Sequence, residues 1–151
     1  MDQIDRLLLR ALQADSSRSI ADLAEEIGTS TSACHRRIKA LEASGLIAGY
    51  CARLDPQRLG LTLQAIVEIT LTSQSREAMD RFEQAVGDFE DILECQLMSG
   101  NADYILRIAA RDLEQFDRIH HDCLSRLPGV SAMRTSFAIR TIKPWRGYPT
   151  P

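Results

Sequence analysis

Near residue 60 the apolar residues of this chain change their spacing from a helical to a strand period, which divides the molecule before any motif is considered. Ahead of that point Ile4, Leu7, Leu8, Ala11 and Leu12 repeat at the i, i+3, i+4, i+7, i+8 interval that lays one apolar stripe along a helix. Beyond it Leu63, Ala65, Val67, Ile69 and Leu71 alternate with mostly polar neighbours, the signature of a half-buried strand. A chain with both periods in separate blocks must build a helical part and a sheet part, each with its own core.

The helical block resolves into three segments. The first ends near Asp15-Ser16-Ser17. Ser19, with Asp22 three residues on, caps a second that carries Ile20, Leu23, Ala24 and Ile27 and stops at Gly28. Ser30 caps a third, with Cys34, Ile38 and Leu41 inward and Gly45 as its stop. Short helices with a tight glycine turn between the last two predict a helix-turn-helix over residues 1–50. Residues 51–61, punctuated by Asp55-Pro56 and Gly60, read as a strand and linker.

The second block, residues 62–142, reads strand, helix, strand, strand, helix, strand. Met79, Phe82 and Val86 face inward from its first helix, which Gly87 closes. Leu93, Cys95 and Leu97 mark the second strand, residues 103–110 the third, and Asp112 with Gln115 caps a helix bearing Phe116, Ile119, Cys123, Leu124 and Leu127. The last strand runs from Val130 towards Ile142, and residues 143–151 form a tail. The fold class is therefore α+β, an all-α helix-turn-helix followed by a ferredoxin-like βαββαβ domain with both helices on one face of an antiparallel sheet. Ile66, Met98, Ile105 and Ala138, beside Glu68 and Arg107, make the helix-free face apolar enough to predict a second subunit over it, hence a homodimer.

Composition narrows the function. With 44% hydrophobic and 26% charged residues the chain is an ordinary globular one, and no apolar run approaches the roughly 20 residues a membrane helix needs. The start lacks the basic and apolar regions of a signal peptide, so a cytoplasmic protein without a membrane partner is expected. Cys34, Cys51, Cys95 and Cys123 lie too far apart for a zinc knuckle or a disulfide frame. Residues 1–60 balance acids against bases, so the net charge of −3 falls wholly in the remainder. An acidic chain does not bind polyanions indiscriminately, and any nucleic-acid contact must be focused.

The focus is His35-Arg36-Arg37-Ile38-Lys39, with no acid between Glu26 and Glu42. In a helix-turn-helix the last helix enters the major groove of double-stranded DNA, and its outward residues must supply donors to phosphates and base edges. The candidates are Ser30, Thr31, Ser32, His35, Arg36, Arg37 and Lys39. The plain alternative is a solvated basic face on a structural bundle. His120-His121-Asp122-Cys123 resembles a metal cluster on paper, but adjacent helical residues point about 100° apart and cannot converge, so neither metal, cofactor nor catalytic residue is expected. Trp145, the only tryptophan, sits among prolines and reads as part of a packed tail. Ser99-Gly100-Asn101-Ala102-Asp103-Tyr104 can turn sharply through residues that tolerate positive φ, presenting N–H groups to an anion while Asp103 offers a carboxylate to a cation, an arrangement suited to a zwitterion. On spacing alone a plain hairpin loop is the stronger reading.

Several runs together resemble one family of bacterial and archaeal regulators, the leucine-responsive and asparagine-responsive (Lrp/AsnC, or feast/famine) type. They are Ile4-Asp5, residues 22–28 from Asp22 to Gly28, residues 37–47 from Arg37 to Ile47, Gly49-Tyr50, Leu59-Gly60, residues 99–104, Leu127-Pro128-Gly129-Val130 and Arg134-Thr135. The resemblance covers nearly the whole chain. It implies a winged helix-turn-helix joined to a ferredoxin-like effector domain, dimers that associate further into an octameric ring, and amino-acid effectors bound between dimers near the loop of Gly100, Asn101, Ala102, Asp103 and Tyr104. Loop N–H groups would take the effector's carboxylate, Asp103 its ammonium, and Thr135 or Ser136 would add a hydroxyl. Where many members carry a bulky side chain in this loop, the chain has Ala102, which leaves room for an effector side chain larger than alanine's. A DNA-organising protein that ignores small molecules is the alternative function, and an enzyme of the ferredoxin-like class the remote one.

Overall fold

A computed structural model describes residues 1–150, which divide into two compact units: Met1–Arg53 together with the chain from Ile142 onward, and Leu54–Thr141. The helical unit holds α1 (Gln3–Ala14), α2 (Ile20–Ile27) and α3 (Thr31–Ala43). Asp2 and Asp5 form a reciprocal capping box at the start of α1, and Ser19 and Ser30 accept the N–H groups of Asp22 and Ala33 to open α2 and α3. Gly28 ends α2 at φ +74°, and Thr29 N–H returns to the Ala24 carbonyl at 2.9 Å, so the turn into α3 is closed by backbone alone. Leu8, Ala11, Leu23, Ala24, Cys34 and Ile38 fill the core between the three helices. The apolar stripe of α1 is rotated from its expected position: Leu7 is exposed and Leu9 is buried.

The sheet unit carries β1 (Leu63–Leu71), α4 (Arg76–Gly87), β2 (Ile92–Leu97), β3 (Tyr104–Ala110), α5 (Leu113–Asp122), a short 3₁₀ turn at Leu124–Arg126 and β4 (Val130–Phe137). The strands lie in the order β2-β3-β1-β4, every neighbouring pair antiparallel. That is the expected ferredoxin-like arrangement. Ala65, Val67, Ile69 and Leu71 of β1 and Tyr104, Leu106, Ile108 and Ala110 of β3 share a core with Phe82, Val86, Phe116, Ile119 and Leu124.

Three expectations need correction. Residues 51–61 hold no strand: Asp55 accepts the Gln57 N–H at 2.9 Å, and Leu61 N–H reaches the Pro56 carbonyl at 2.7 Å, so the segment curls into a turn ending at Gly60, φ +77°. β4 stops at Phe137 rather than near Ile142, because β1 begins at Leu63 and only one further bond, Ala138 N–H to the Gln64 carbonyl, is available. In β2 the register slips between Ile92 and Glu94, so Ile92 and Cys95 pack against the core while Leu93 is exposed. The tail from Ile142 onward belongs to the helical unit.

Leu8 is fully buried at the centre of the small helical core. Leu8→Ala should lower the unfolding free energy by about 2–5 kcal/mol, measured as a fall in the urea midpoint at unchanged slope.

Candidate nucleic-acid interface and effector loop

The seven candidate DNA contacts all lie at the start or on the surface of α3, but the structure gives them different tasks. Ser30 is the cap, its hydroxyl receiving Ala33 N–H and lying 3.2 Å from the Ser32 hydroxyl. Thr31, Ser32, His35 and Arg36 are exposed. Arg37, one residue further round, turns back: its Nη1 lies 2.6 Å from Asp2 and 2.8 Å from Asp5, the two carboxylates of the α1 capping box. The Asp5 backbone N–H and the Arg37 guanidinium hold the Asp2 carboxyl below the usual carboxylate range. Arg37 is thus a brace between α3 and α1 rather than an open donor, a role that spacing in the basic run does not show.

Lys39 is exposed yet paired with Glu42 at 2.7 Å, and the Tyr50 hydroxyl donates to the other Glu42 oxygen at 2.9 Å. Lys39, then Tyr50, keep the Glu42 carboxyl below its ordinary value. Among the described residues Arg36 and His35 make no ion pair or side-chain hydrogen bond, which leaves Arg36 as the free guanidinium on the outward face of α3. A free fork can grip guanine O6 and N7 together, while a pair like Lys39–Glu42 exchanges its carboxylate for a phosphate at little cost in an exposed setting.

The second candidate site lies at the far end of β1. Gly100 and Asn101 are exposed and Ala102 is half-buried. Neither Gly100 nor Asn101 has positive φ, so the turn is made without the left-handed conformations expected of it. A Cβ on Gly100 would meet nothing within 4 Å, so the chain's own packing does not require glycine there. Asp103 is 9% exposed, and its two oxygens accept Leu71 N–H and the Gln74 amide, each at 2.7 Å. Its own N–H donates to the Ile69 carbonyl at 2.8 Å and its carbonyl receives Met98 N–H at 2.8 Å. The carboxylate expected to meet an ammonium therefore already bolts the loop to the end of β1.

Tyr104 is likewise internal. Its ring packs on Phe82 at 4.6 Å, its hydroxyl donates to Glu83 at 2.7 Å, and burial together with that bond pushes the phenol well above its ordinary pKa. Thr135 and Ser136 pair with Val67 and Ile66 on β1, two rungs and more from the Ile69–Tyr104 pair where the loop begins. Opposite residues of a pair share a face, so Thr135 lies on the helix side with Val67 and Ser136 on the open side with Ile66. Within one chain the structure gathers Gly100, Asn101 and Ala102 at the surface and leaves Thr135 and Ser136 away from them. The open face is also more polar than expected, since Arg107 pairs with Glu94 at 2.9 Å and Arg134 with Glu68 at 3.6 Å around Ile66 and Ile105. His120, near Phe116, and His121, bonded to Asp122, do not converge, and no metal-binding group of three side chains occurs among the described residues.

A capped helix-turn-helix with a free arginine on the outward face of its last helix, ahead of a ferredoxin-like unit with a surface loop at one strand end, defines a two-module regulator of the ligand-binding type. Comparison with known proteins gives the family. The AsnC-type helix-turn-helix domain matches residues 1–42 and the Lrp/AsnC ligand binding domain matches residues 64–148. The leucine-responsive regulatory protein of Escherichia coli strain K12 is 37% identical over 143 residues, 95% of this chain and 87% of its own. Among solved structures, an AsnC family transcriptional regulator from Agrobacterium tumefaciens superposes with TM-score 0.93 at 35% identity, over 99% of this chain and 97% of that one. A transcriptional regulator from Neisseria meningitidis, solved as its L-methionine complex, superposes with TM-score 0.89 at 30% identity, over 95% and 92%. The chain belongs to the Lrp/AsnC family of transcription regulators, which are not enzymes. No helix is long and apolar enough to cross a membrane among the described residues.

Replacing Asp103 by Ala strips the acceptor from the Leu71 N–H and should destabilise the sheet unit by about 1–3 kcal/mol. Thermal unfolding followed by circular dichroism checks this, with Gln74→Ala expected to cost less because it removes only one of the two bonds.

Proposed function

We propose that the protein is a sequence-specific regulator that binds double-stranded DNA through the outward face of α3, and whose DNA affinity or oligomeric state responds to an amino-acid effector at the Gly100 to Ala102 loop. The observation that carries the reading is the division of labour along α3: Arg37 is turned inward to brace α1, so that Arg36 is held outward and unpaired. Thr31, Ser32 and His35 flank it, Ser30 opens the helix, and the N–H groups of its first turn are available to a phosphate. Lys39 contributes charge. The work is done where the DNA is, in the cytoplasm.

The effector reading rests on the exposed, uncrowded backbone of Gly100 and Asn101, on Ala102 beside it, and on the L-methionine held by the Neisseria relative. Asp103 and Tyr104 position this loop from within. Thr135 and Ser136 would reach an effector only from another copy of the chain, which fits a seam between subunits. A homodimer across the open sheet face, with Ile66 and Ile105 at its centre and ion pairs around them, supplies the two-fold pairing of reading heads that DNA half-sites require, and further association to an octamer would build the seams. A DNA-organising protein without ligand response remains the alternative that effector titration separates.

On an operator selected from random sequence, Arg36→Ala should weaken binding by about 1–3 kcal/mol and relax preference at one position, whereas Lys39→Ala should weaken all sequences alike and flatten the salt dependence. Unchanged affinity in both variants would overturn the assignment. The same gel-shift assay with each natural amino acid tests the effector, L-methionine being expected to alter affinity. Sedimentation at micromolar concentration should find the full chain dimeric or larger and Ile105→Glu, a charge placed on the open face, shifted towards monomer.

A further inference from the structure

The tail beyond β4 does not trail into solvent. The chain leaves the helical unit at Arg53 and returns to it at Ile142. Gln13 on α1 grips Tyr148 from both sides: its amide nitrogen donates to the Tyr148 carbonyl at 3.0 Å, and its amide oxygen accepts the Tyr148 N–H at 2.6 Å. A side-chain amide presents one donor and one acceptor as a neighbouring strand would, so the tail is bound by its backbone. One turn earlier, Arg10 donates through Nε to the Thr150 hydroxyl at 2.7 Å and through Nη2 to the Thr150 carbonyl at 3.2 Å. Thr150, a polar residue near the chain's end, is 9% exposed. Leu9, on the same face one turn from Gln13, is 8% exposed although it is not part of the three-helix core.

Between these anchors Gly147 stands at φ +101°, and a Cβ there would collide with the Gln13 amide oxygen. The close approach and the backbone conformation both demand glycine. Trp145 and Tyr148 meet edge to face at 4.8 Å while remaining mostly exposed, so the aromatic pair stiffens the tail without being its anchor.

We propose that the tail is a latch, with Gln13 and Arg10 of α1 as its receptor. When docked through these hydrogen bonds, it makes a second, non-covalent connection from the sheet unit to the helical unit, in addition to the covalent one through residues 54–62, so that the two units unfold and move as one. Closing a chain at two points removes freedom that a single linker leaves. As a route by which an effector could reach α3 the latch rests on the regulatory reading above, but the tethering itself requires neither DNA nor effector and is tested without them.

The single tryptophan is the reporter. In the full chain, time-resolved anisotropy of Trp145 should decay mainly with overall tumbling, and calorimetry should show one unfolding transition. Gln13→Ala, and independently Gly147→Val on the tail's side, should add a sub-nanosecond component to the anisotropy and split the transition into two. Far-UV circular dichroism confirms that the helices remain, as Gln13 is exposed. Anisotropy unchanged by both variants would show that these contacts do not hold the tail. A tail freed in both variants while a single transition persists, or two transitions in the parent chain, would show that it tethers nothing. Either result overturns the proposal, and neither depends on whether DNA or an amino acid binds.

Discussion

The grip of Arg37 on Asp2 and Asp5 is the contact on which the helical unit turns. The two carboxylates already cap α1 by accepting and returning backbone hydrogen bonds, and one guanidinium from α3 bridges both. A capping box is a local device, spending two acids on the helix that owns them. Here it is also the socket for another helix, which fixes the rotation of α3 about its own axis. With Cys34, Ile38 and Leu41 on the core side and Arg37 tied to α1 beside them, the step of about 100° per residue leaves Arg36 on the outward side. The outward face of α3 is thus held in place by the immediate neighbour of its unpaired arginine.

The sheet unit follows the same logic with a buried carboxylate. Asp103 is bonded to Leu71 and Gln74, and its backbone ties to Ile69 and Met98, so the surface loop before it starts from a rigid rung. Tyr104 extends the anchorage into the core through Phe82 and Glu83. In both units a charged residue of a suggestive motif turns out to hold the scaffold, with exposed polar groups and backbone beside it.

Much of this was legible in the sequence, for identifiable reasons. Caps at Ser19, Ser30 and Asp112 and the stop at Gly28 are set by chemistry within a turn of the helix, and the alternation in β1 reports its burial directly. What could not be read depended on partners distant in the chain. Arg37 meets acids more than thirty residues earlier, Asp103 bonds a β1 amide, and Gln13 meets Tyr148 across nearly the whole length, none of which leaves a periodic trace. The strand expected around residues 51–61 failed against a local competitor, the Asp55-Pro56 turn, and Leu93 was misplaced because a bulge shifts the alternation by one. The pairing of an inward and an outward arginine in the basic run had one available clue, the two acids at Asp2 and Asp5, which need a cation on some facing helix.

The strand order also governs when each part of the molecule can be completed during synthesis. β1 is a central strand, and both of its neighbours come later: β3 pairs Ile69 with Tyr104, and β4 pairs it with Met133. The helical core needs only residues from the first 38, whereas the second edge of β1 must wait for more than sixty further residues to leave the ribosome. Such long-range pairing is slow to form and leaves an aggregation-prone strand uncovered meanwhile. The chain therefore emerges with its DNA-reading part able to fold first and its sheet last, and the nascent protein acquires its parts in the order in which their contacts are local.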